Sequence, residues 1–336
     1  MRVGIIGLGR AGRIHLEAWQ KVEGVEVGAI ADRSAAVRGW ARETGLHAYG
    51  DPLDMIAREQ LDVVSIVTPP VFHAQVTIAC LERNLHVVCE KPLALSGNDA
   101  LRMLRTATRL GRHLLLATKF RHVPDLVQAR ELIAQGAIGE PVAFEIDFSS
   151  PVDMSQRWNS RRALAGGGVI IDNGCHAFDI VAFLFGTVSR VLATRLKPVQ
   201  DLNVEDSATV LVAAGHGLIG RIDLSWSLAT GRETFVTIYG SKGTIEVGWR
   251  GSRLRAAGRE PEAIGPGYDR TDAHVRMLAA FRDVVTGVRG PWISPGECVR
   301  TVAAVDAAYR SLRTGGWVNV DMMGMRDTRI VAEARA

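Results

Sequence analysis

"RVGIIGLGRAG", residues 2–12, is the stretch on which the fold turns. A short apolar run ends in a glycine-rich turn, and a helical pattern opens directly behind it. Gly7, Gly9 and Gly12 stand in GxGxxG spacing, and Asp32 closes the next apolar run, "VEVGAIAD", twenty residues past Gly12. In that context the glycines have physical tasks: Gly7 permits the tight turn, Gly9 lets the backbone approach a pyrophosphate, and Gly12 lets helix and strand pack closely. With Leu8, Arg10 and Ala11 they form a helix N-terminus whose free N–H groups suit phosphate charge. Asp32 is placed to accept hydrogen bonds from ribose hydroxyls and to repel a 2′-phosphate, which favours NAD. Arg33 and Ser34 beside it keep NADP open, because an Arg there can receive the extra phosphate. Spacing alone does not separate these from FAD.

Outward from this motif, short apolar runs alternate with helical patterns as far as residue 121, the signature of βα units in a doubly wound parallel sheet. Strands are expected at "RVGIIG", "VEVGAIAD", His47–Tyr49, "DVVSIVT", "HVVCE" and "HLLLATKF", the last carrying Lys119 at its end. Residues 122–336 read differently: a helix from Pro124, then strands separated by tight turns, as in an antiparallel sheet. In "RIDLSWSL", Ile222, Leu224, Trp226 and Leu228 alternate with polar residues and are expected on one face. Two helices, 271–286 and 295–313, and a short strand "WVNV" follow, with a polar tail after Met323. The fold class is therefore α/β: a Rossmann domain (1–121) followed by an α+β domain with a large, mostly antiparallel open sheet (122–336), expected to bind substrate and mediate oligomerisation.

Composition narrows the function. The chain has 336 residues, 47% apolar and 23% charged, with a net charge of +4 and no basic stripe with interleaved aromatics, which argues against nucleic acid. Cys80, Cys89, Cys175 and Cys298 show no CxxC spacing, so neither a metal site nor a disulfide framework is expected. A reducing cytoplasm fits. No secretory pattern opens the chain, and no apolar run is read as reaching membrane-spanning length, so no membrane is expected.

"GGGVIIDNGCHAFDIVAFLFG", residues 166–186, reads as an interior helix that nonetheless contains Asp172, His176 and Asp179. Burying charge without a partner is costly. Asp172 and His176, four apart, lie on one face a turn from each other, so a polar stripe facing a ligand crevice reconciles the pattern. Asp179 is read as structural.

Four segments carry a family resemblance: "GLGRAG", "TPPVFHAQVTIACLERNLHVVCEKPLA" (68–94), "FRHVPDLVQARELIAQGAIGEP" (120–141) and "AGGGVIIDNGCHAFD" (165–179). In this order they resemble the Gfo/Idh/MocA family of NAD(P)-dependent oxidoreductases. The resemblance implies a homodimer or homotetramer that oxidises or reduces a carbinol carbon of a sugar, nucleotide sugar or cyclitol. It makes Lys91 the lysine of the Glu-Lys-Pro motif, and Asp172 and His176 the Asp-x-x-x-His pair. Lys91 could exchange a proton with the reacting oxygen, with its pKa lowered by a nearby positive nicotinamide. His176 is the natural acceptor of a hydroxyl proton near neutral pH, and Asp172 would orient substrate or imidazole. Thr68, Pro69 and His73 match the family's loop along the cofactor, with Pro70 where many members carry Asn. Glu90 is expected to help hold the nicotinamide end. Lys119, Arg121, Trp158, Arg161 and Asn173 are substrate-binding candidates, Lys119 suggesting an anionic or strongly polar substrate. Two competing readings share these features: a non-catalytic NAD-dependent sensor, and redox-neutral glycoside cleavage on a retained NAD.

Overall fold

The computed structural model describes residues 1–321, so the tail after Met323 lies outside the described residues. In chain order the first elements are β1 (Arg2–Ile6), α1 (Arg10–Gln20), β2 (Glu26–Ala31), α2 (Ala35–Glu43), β3 (His47–Tyr49), α3 (Pro52–Arg58), β4 (Val63–Ile66), α4 (His73–Glu82), β5 (His86–Cys89), α5 (Gly97–Arg109) and β6 (Leu114–Leu116). Then come α6 (Pro124–Ala134), β7 (Pro141–Ser149), α7 (Arg162–Ala165), α8 (Val169–Phe185), β8 (Arg190–Arg195), β9 (Ser207–Ala213), β10 (Ile219–Ser225), β11 (Thr234–Gly240), β12 (Gly243–Gly248), β13 (Ser252–Ala256) and β14 (Glu262–Gly265). The helices α9 (Arg270–Val285) and α10 (Pro295–Thr314) and the strand β15 (Val318–Asn319) complete the described chain.

The chain divides into two compact units. The first contains Met1–Ala117 and Arg270–Val299. Its six strands run in the order β3-β2-β1-β4-β5-β6, every pairing parallel. The order reverses at β1/β4, the kind of point at which open α/β sheets bind ligands beyond the strands' carboxyl ends. β1 and β4 are almost wholly apolar and buried, as a sheet covered on both faces requires. From the far end of the chain, Arg270–Val299 returns to this unit. The cause is packing of α9 on α1, with the rings of His15 and His274 meeting edge-on at 5.7 Å.

The second unit, Thr118–Asp269 with the described residues from Arg300 to Asp321, holds nine strands ordered β14-β13-β12-β11-β7-β10-β9-β8-β15. All neighbours are antiparallel except β7 and β10, which run parallel in register from Ala143↔Ile219 to Ser149↔Ser225. On β10, Ile222 and Leu224 point into the core, and Trp226 just past its end is buried too, but Leu228 is exposed because the strand ends at Ser225. The opposite face carries Arg221 paired with Asp223 at 2.9 Å, Arg232 with Glu145 at 3.1 Å and Arg253 with Glu246 at 2.9 Å. The apolar side of these strands is covered within the unit, where Leu224 packs beside Gly174 of α8, and the face with the ion pairs also carries the exposed Ile219 and Tyr239.

The segment Arg162–Phe185 is long and apolar enough by composition to cross a membrane, which corrects the expectation that no run reaches that length. Of its most apolar window, 67% is buried within the fold. Ile170, Phe178, Ile180 and Val181 are fully or almost fully enclosed, each contributing about 1.5–3 kcal/mol of burial.

Candidate active site

In the first unit β1 delivers the chain into the glycine turn. Gly7 has φ 89°, the left-handed region that Gly reaches without a Cβ penalty, and α1 starts with Gly9 as its N-cap. A Cβ on Gly12 would collide with the carbonyl oxygen of Gly7, whereas one on Gly9 would meet nothing within 4 Å. The turn is thus closed on its strand side and open at Gly9. No carbonyl lies a turn behind the N–H groups of Arg10, Ala11 and Gly12, which suits them to an anion. Asp32 is held rigidly: Oδ2 accepts from the Leu8 N–H and Oδ1 from the Ser34 N–H, both at 2.8 Å. A carboxylate has roughly four lone-pair sites, so acceptor capacity remains for a diol. Arg33 lies with its guanidinium 4.9 Å over the Phe72 ring. Thr68 Oγ1, after β4, is buried without a hydrogen-bond partner among the described residues. An open glycine turn, a fixed diol acceptor and an orphaned hydroxyl together fit NAD.

These contacts carry a prediction. Asp32→Ala removes the diol acceptor and the anion that opposes a 2′-phosphate, so the kcat/KM ratio of NAD+ to NADP+ should fall by about tenfold or more. An unchanged ratio would separate Asp32 from cofactor choice.

His73 departs from expectation. It is fully buried, with Nδ1 2.8 Å from the Pro92 carbonyl and Nε2 2.8 Å from the Thr68 carbonyl. Both ring nitrogens face backbone carbonyls, only one of which a neutral imidazole can donate to, and the ring is held between the loops after β4 and β5. Burial holds its pKa below the ordinary value, against the opposing pull of the two carbonyls. Pro69 precedes a single 3-10 turn, Pro70–Phe72.

Lys91 follows β5, and its peptide bond to Pro92 is cis. Glu90 beside it accepts from His15 Nε2 at 3.0 Å and from the Lys91 backbone N–H at 3.1 Å. Burial alone would raise the Glu90 pKa, but the His15 hydrogen bond and the neighbouring positive charges overcome it and hold the carboxyl well below the usual carboxylate range. Stability from this depressed pKa is therefore present above the ordinary carboxylate value and is lost only as pH falls through the lower, folded one. Behind His15, Ser65 Oγ accepts from Trp19 Nε1 at 2.8 Å and lies 3.3 Å from His15 Nδ1. This chain was missed in the sequence, although His15 and Trp19, four apart on an otherwise apolar helix face, are its visible trace. Ligand-type atoms of His15, Glu90 and His274 also lie within 4.8 Å of one another. His15 already directs one ring nitrogen at Glu90 and the other at Ser65, so an ion there would have to displace one of those contacts.

In the second unit the polar stripe of α8 is plain. From Val169 to Val181 every residue is buried except Asp172, Asn173 and His176. The His176 ring meets Phe120 edge-on at 5.1 Å, and Asn173 Nδ2 donates to the Phe148 carbonyl at 3.1 Å. Lys119 and Arg121 lie on a 3-10 turn, Lys119–His122, not on a sixth strand, which stops at Leu116. Lys119 Nζ sits 5.5 Å from the Phe120 ring centre and 5.9 Å from that of Tyr268, and those two rings stack at 5.1 Å. Tyr268 carried no sequence signal. Arg121 is corrected from a substrate contact: it is buried, and its Nε donates to Asp179 at 2.9 and 3.0 Å. Asp179 is its buried counter-ion. Trp158 begins a 3-10 turn to Ser160, Asn159 reaches Asp172 at a long 3.4 Å, and Trp158 and Arg161 are exposed.

Comparison with known proteins agrees with this geometry. Residues 1–118 match the model described as "Oxidoreductase family, NAD-binding Rossmann fold", and residues 126–246 that of the GFO/IDH/MocA C-terminal domain. The rhizopine catabolism protein MocA of Rhizobium meliloti is 31% identical over 252 residues, covering 73% of this chain and 77% of that protein. D-apiose dehydrogenase of Paraburkholderia graminis is 28% identical over 335 residues, covering 94% and 88%. The structure of an oxidoreductase from Agrobacterium radiobacter in complex with NAD+, L-tartaric acid and magnesium superposes with a TM-score of 0.87 at 25% identity, covering 96% of this chain and 99% of that one.

Proposed function

The chain belongs to the GFO/IDH/MocA family of NAD-binding oxidoreductases, and on that premise we propose that it interconverts a secondary alcohol and a ketone on a sugar, nucleotide sugar or cyclitol. Bound NAD supplies the hydride acceptor or donor. Leu8, Gly9, Arg10, Ala11 and Gly12 would hold its pyrophosphate, Asp32 its ribose, and Thr68 and Glu90 the part nearer the nicotinamide. Lys91 and His176 handle the proton of the reacting oxygen; Asp172 and Asn173 orient the substrate through its other hydroxyls. Lys119, Trp158 and Arg161 are its further contacts. The observation that carries this reading is the stripe of Asp172, Asn173 and His176, half-buried within a run from Val169 to Val181 that is otherwise buried. Relatives named as sugar dehydrogenases support the substrate class.

We place the enzyme in the cytoplasm, consistent with four cysteines that are all buried, and as a homodimer or homotetramer. The test is a panel of D-apiose, D-xylose, myo-inositol and L-tartrate with NAD+ and NADP+, followed by nicotinamide absorbance. Reduction with at least one sugar or cyclitol is expected; sugar release without net reduction would point to redox-neutral cleavage, and silence across a broad panel to a sensor.

A further inference from the structure

We propose that Glu205 and Tyr309 are positioning residues, capping α8 from outside its own sequence and thereby setting the orientation of Asp172, Asn173 and His176. The proposal rests on the functional reading above. α8 has Gly168 as its N-cap, which offers no side-chain cap of its own. Its first N–H groups are buried, and leaving them unpaired would cost stability. Distant parts of the chain answer them. Glu205 Oε1 accepts from the Gly168 N–H at 3.0 Å, from the Ile170 N–H at 3.2 Å and from the Tyr309 hydroxyl at 2.7 Å. The Val169 N–H donates to the Glu205 carbonyl at 2.9 Å, and the Gly168 N–H also reaches the Tyr309 oxygen at 3.1 Å.

The glycine run before α8 has its explanation here. A Cβ on Gly167 would collide with the Tyr309 hydroxyl, and one on Gly168 with the Glu205 carbonyl oxygen. A charged acceptor at a helix N-terminus makes stronger bonds than a neutral one and complements the helix dipole. Asp172 lies two residues beyond the last capped N–H, and His176 a turn further, so rotation at the cap moves both side chains together.

The next residue extends the same anchor to the loop before α7. Asp206 Oδ2 accepts from the Val199 and Gln200 N–H groups, each at 2.9 Å, and from the Ser227 hydroxyl at 2.7 Å. Gln200 in turn donates to the Val152 carbonyl at 3.0 Å and accepts from the Met154 N–H at 3.0 Å. Glu205 and Asp206 are each 2% exposed. One buried segment thus fixes the stripe-bearing helix and the start of the loop that runs on to Trp158 and Asn159.

The experiment compares Glu205→Ala, Glu205→Gln and Tyr309→Phe in the full chain, using the polyol oxidised fastest in the panel above and its carbinol-deuterated form. In Glu205→Ala, kcat per folded molecule should fall by about 10- to 100-fold well below Tm, because small misplacement is costly in hydride chemistry. The NAD+ dissociation constant should stay unchanged, and the deuterium effect on kcat should grow. Glu205→Gln keeps an oxygen acceptor and should recover most of the rate. Tyr309→Phe should lose several-fold, and it carries the same readouts if Glu205→Ala does not fold. Unchanged kcat per folded molecule with only a lower Tm would overturn the positioning role. Wild-type turnover that depends on His176, combined with unaffected variants, would overturn the cap alone. Absence of any wild-type turnover, or full activity in His176→Ala, would overturn the functional reading and the cap with it.

Discussion

His176→Ala and Lys91→Met each lower kcat by about 10²- to 10⁴-fold, the usual contribution of a positioned proton-transfer group, while NAD+ binding changes little. His176 has Phe120 against its ring and helix α8 beneath it, so truncation removes the imidazole without disturbing the enclosed face. Met conserves much of the volume of Lys91 and deletes only the amine. Initial rates and NAD+ titration by fluorescence quenching measure both quantities. Full turnover in either variant would remove that residue from the proton path. A large loss of NAD+ affinity in Lys91→Met would instead make it a binding residue.

Asp179→Ala lowers stability by about 3–5 kcal/mol, because it removes the carboxylate that pairs with the buried Arg121 guanidinium. The pair is close and buried, with Nε shared by both carboxylate oxygens, Arg121 Nη2 2.8 Å from Asp179 Oδ1 and side-chain exposures of only 3% and 4%. It joins α8 to the 3-10 turn that carries Lys119, two of the pieces that present the second unit's polar groups. A drop in Tm on the order of 10 °C or more is expected by calorimetry. Replacing both partners with apolar residues, Arg121→Met with Asp179→Leu, should recover most of it, since a buried pair contributes little beyond what packing can supply. A single variant with unchanged Tm would contradict the stabilising role assigned to this buried pair.

Much of the first unit was legible because its signals are local. The apolar run of β1, the turn at Gly7 to Gly12 and the acid ending β2 lie within 31 residues, and the structure realises each of them. The α8 stripe was equally legible, since Asp172 and His176 declare one helical face by spacing alone. What escaped depends on chain segments far apart. Arg121 and Asp179 are separated by 58 residues, and Gly168 and Tyr309 by 141. Neither pairing leaves a periodic trace. The return of α9 to the first unit is likewise a packing outcome, and an amphipathic helix pattern does not name the surface it will cover. His73 was misread because a histidine in a cofactor loop looks the same in sequence whether its nitrogens face a ligand or, as here, two backbone carbonyls. Lys119 was placed on a strand because "HLLLATKF" is continuous in hydropathy, while the ladder with β5 ends at Leu116.

The central claim is hydride transfer from a carbinol carbon, and isotope transfer tests it directly. The protein is incubated with NAD+ and the active sugar or cyclitol deuterated at the reacting carbon, and the recovered cofactor is analysed by mass spectrometry. The account predicts reduced nicotinamide carrying one deuterium and a substrate oxidised to the ketone at that carbon. Reduced cofactor without the label, or a converted substrate that keeps all its deuterium, would contradict it.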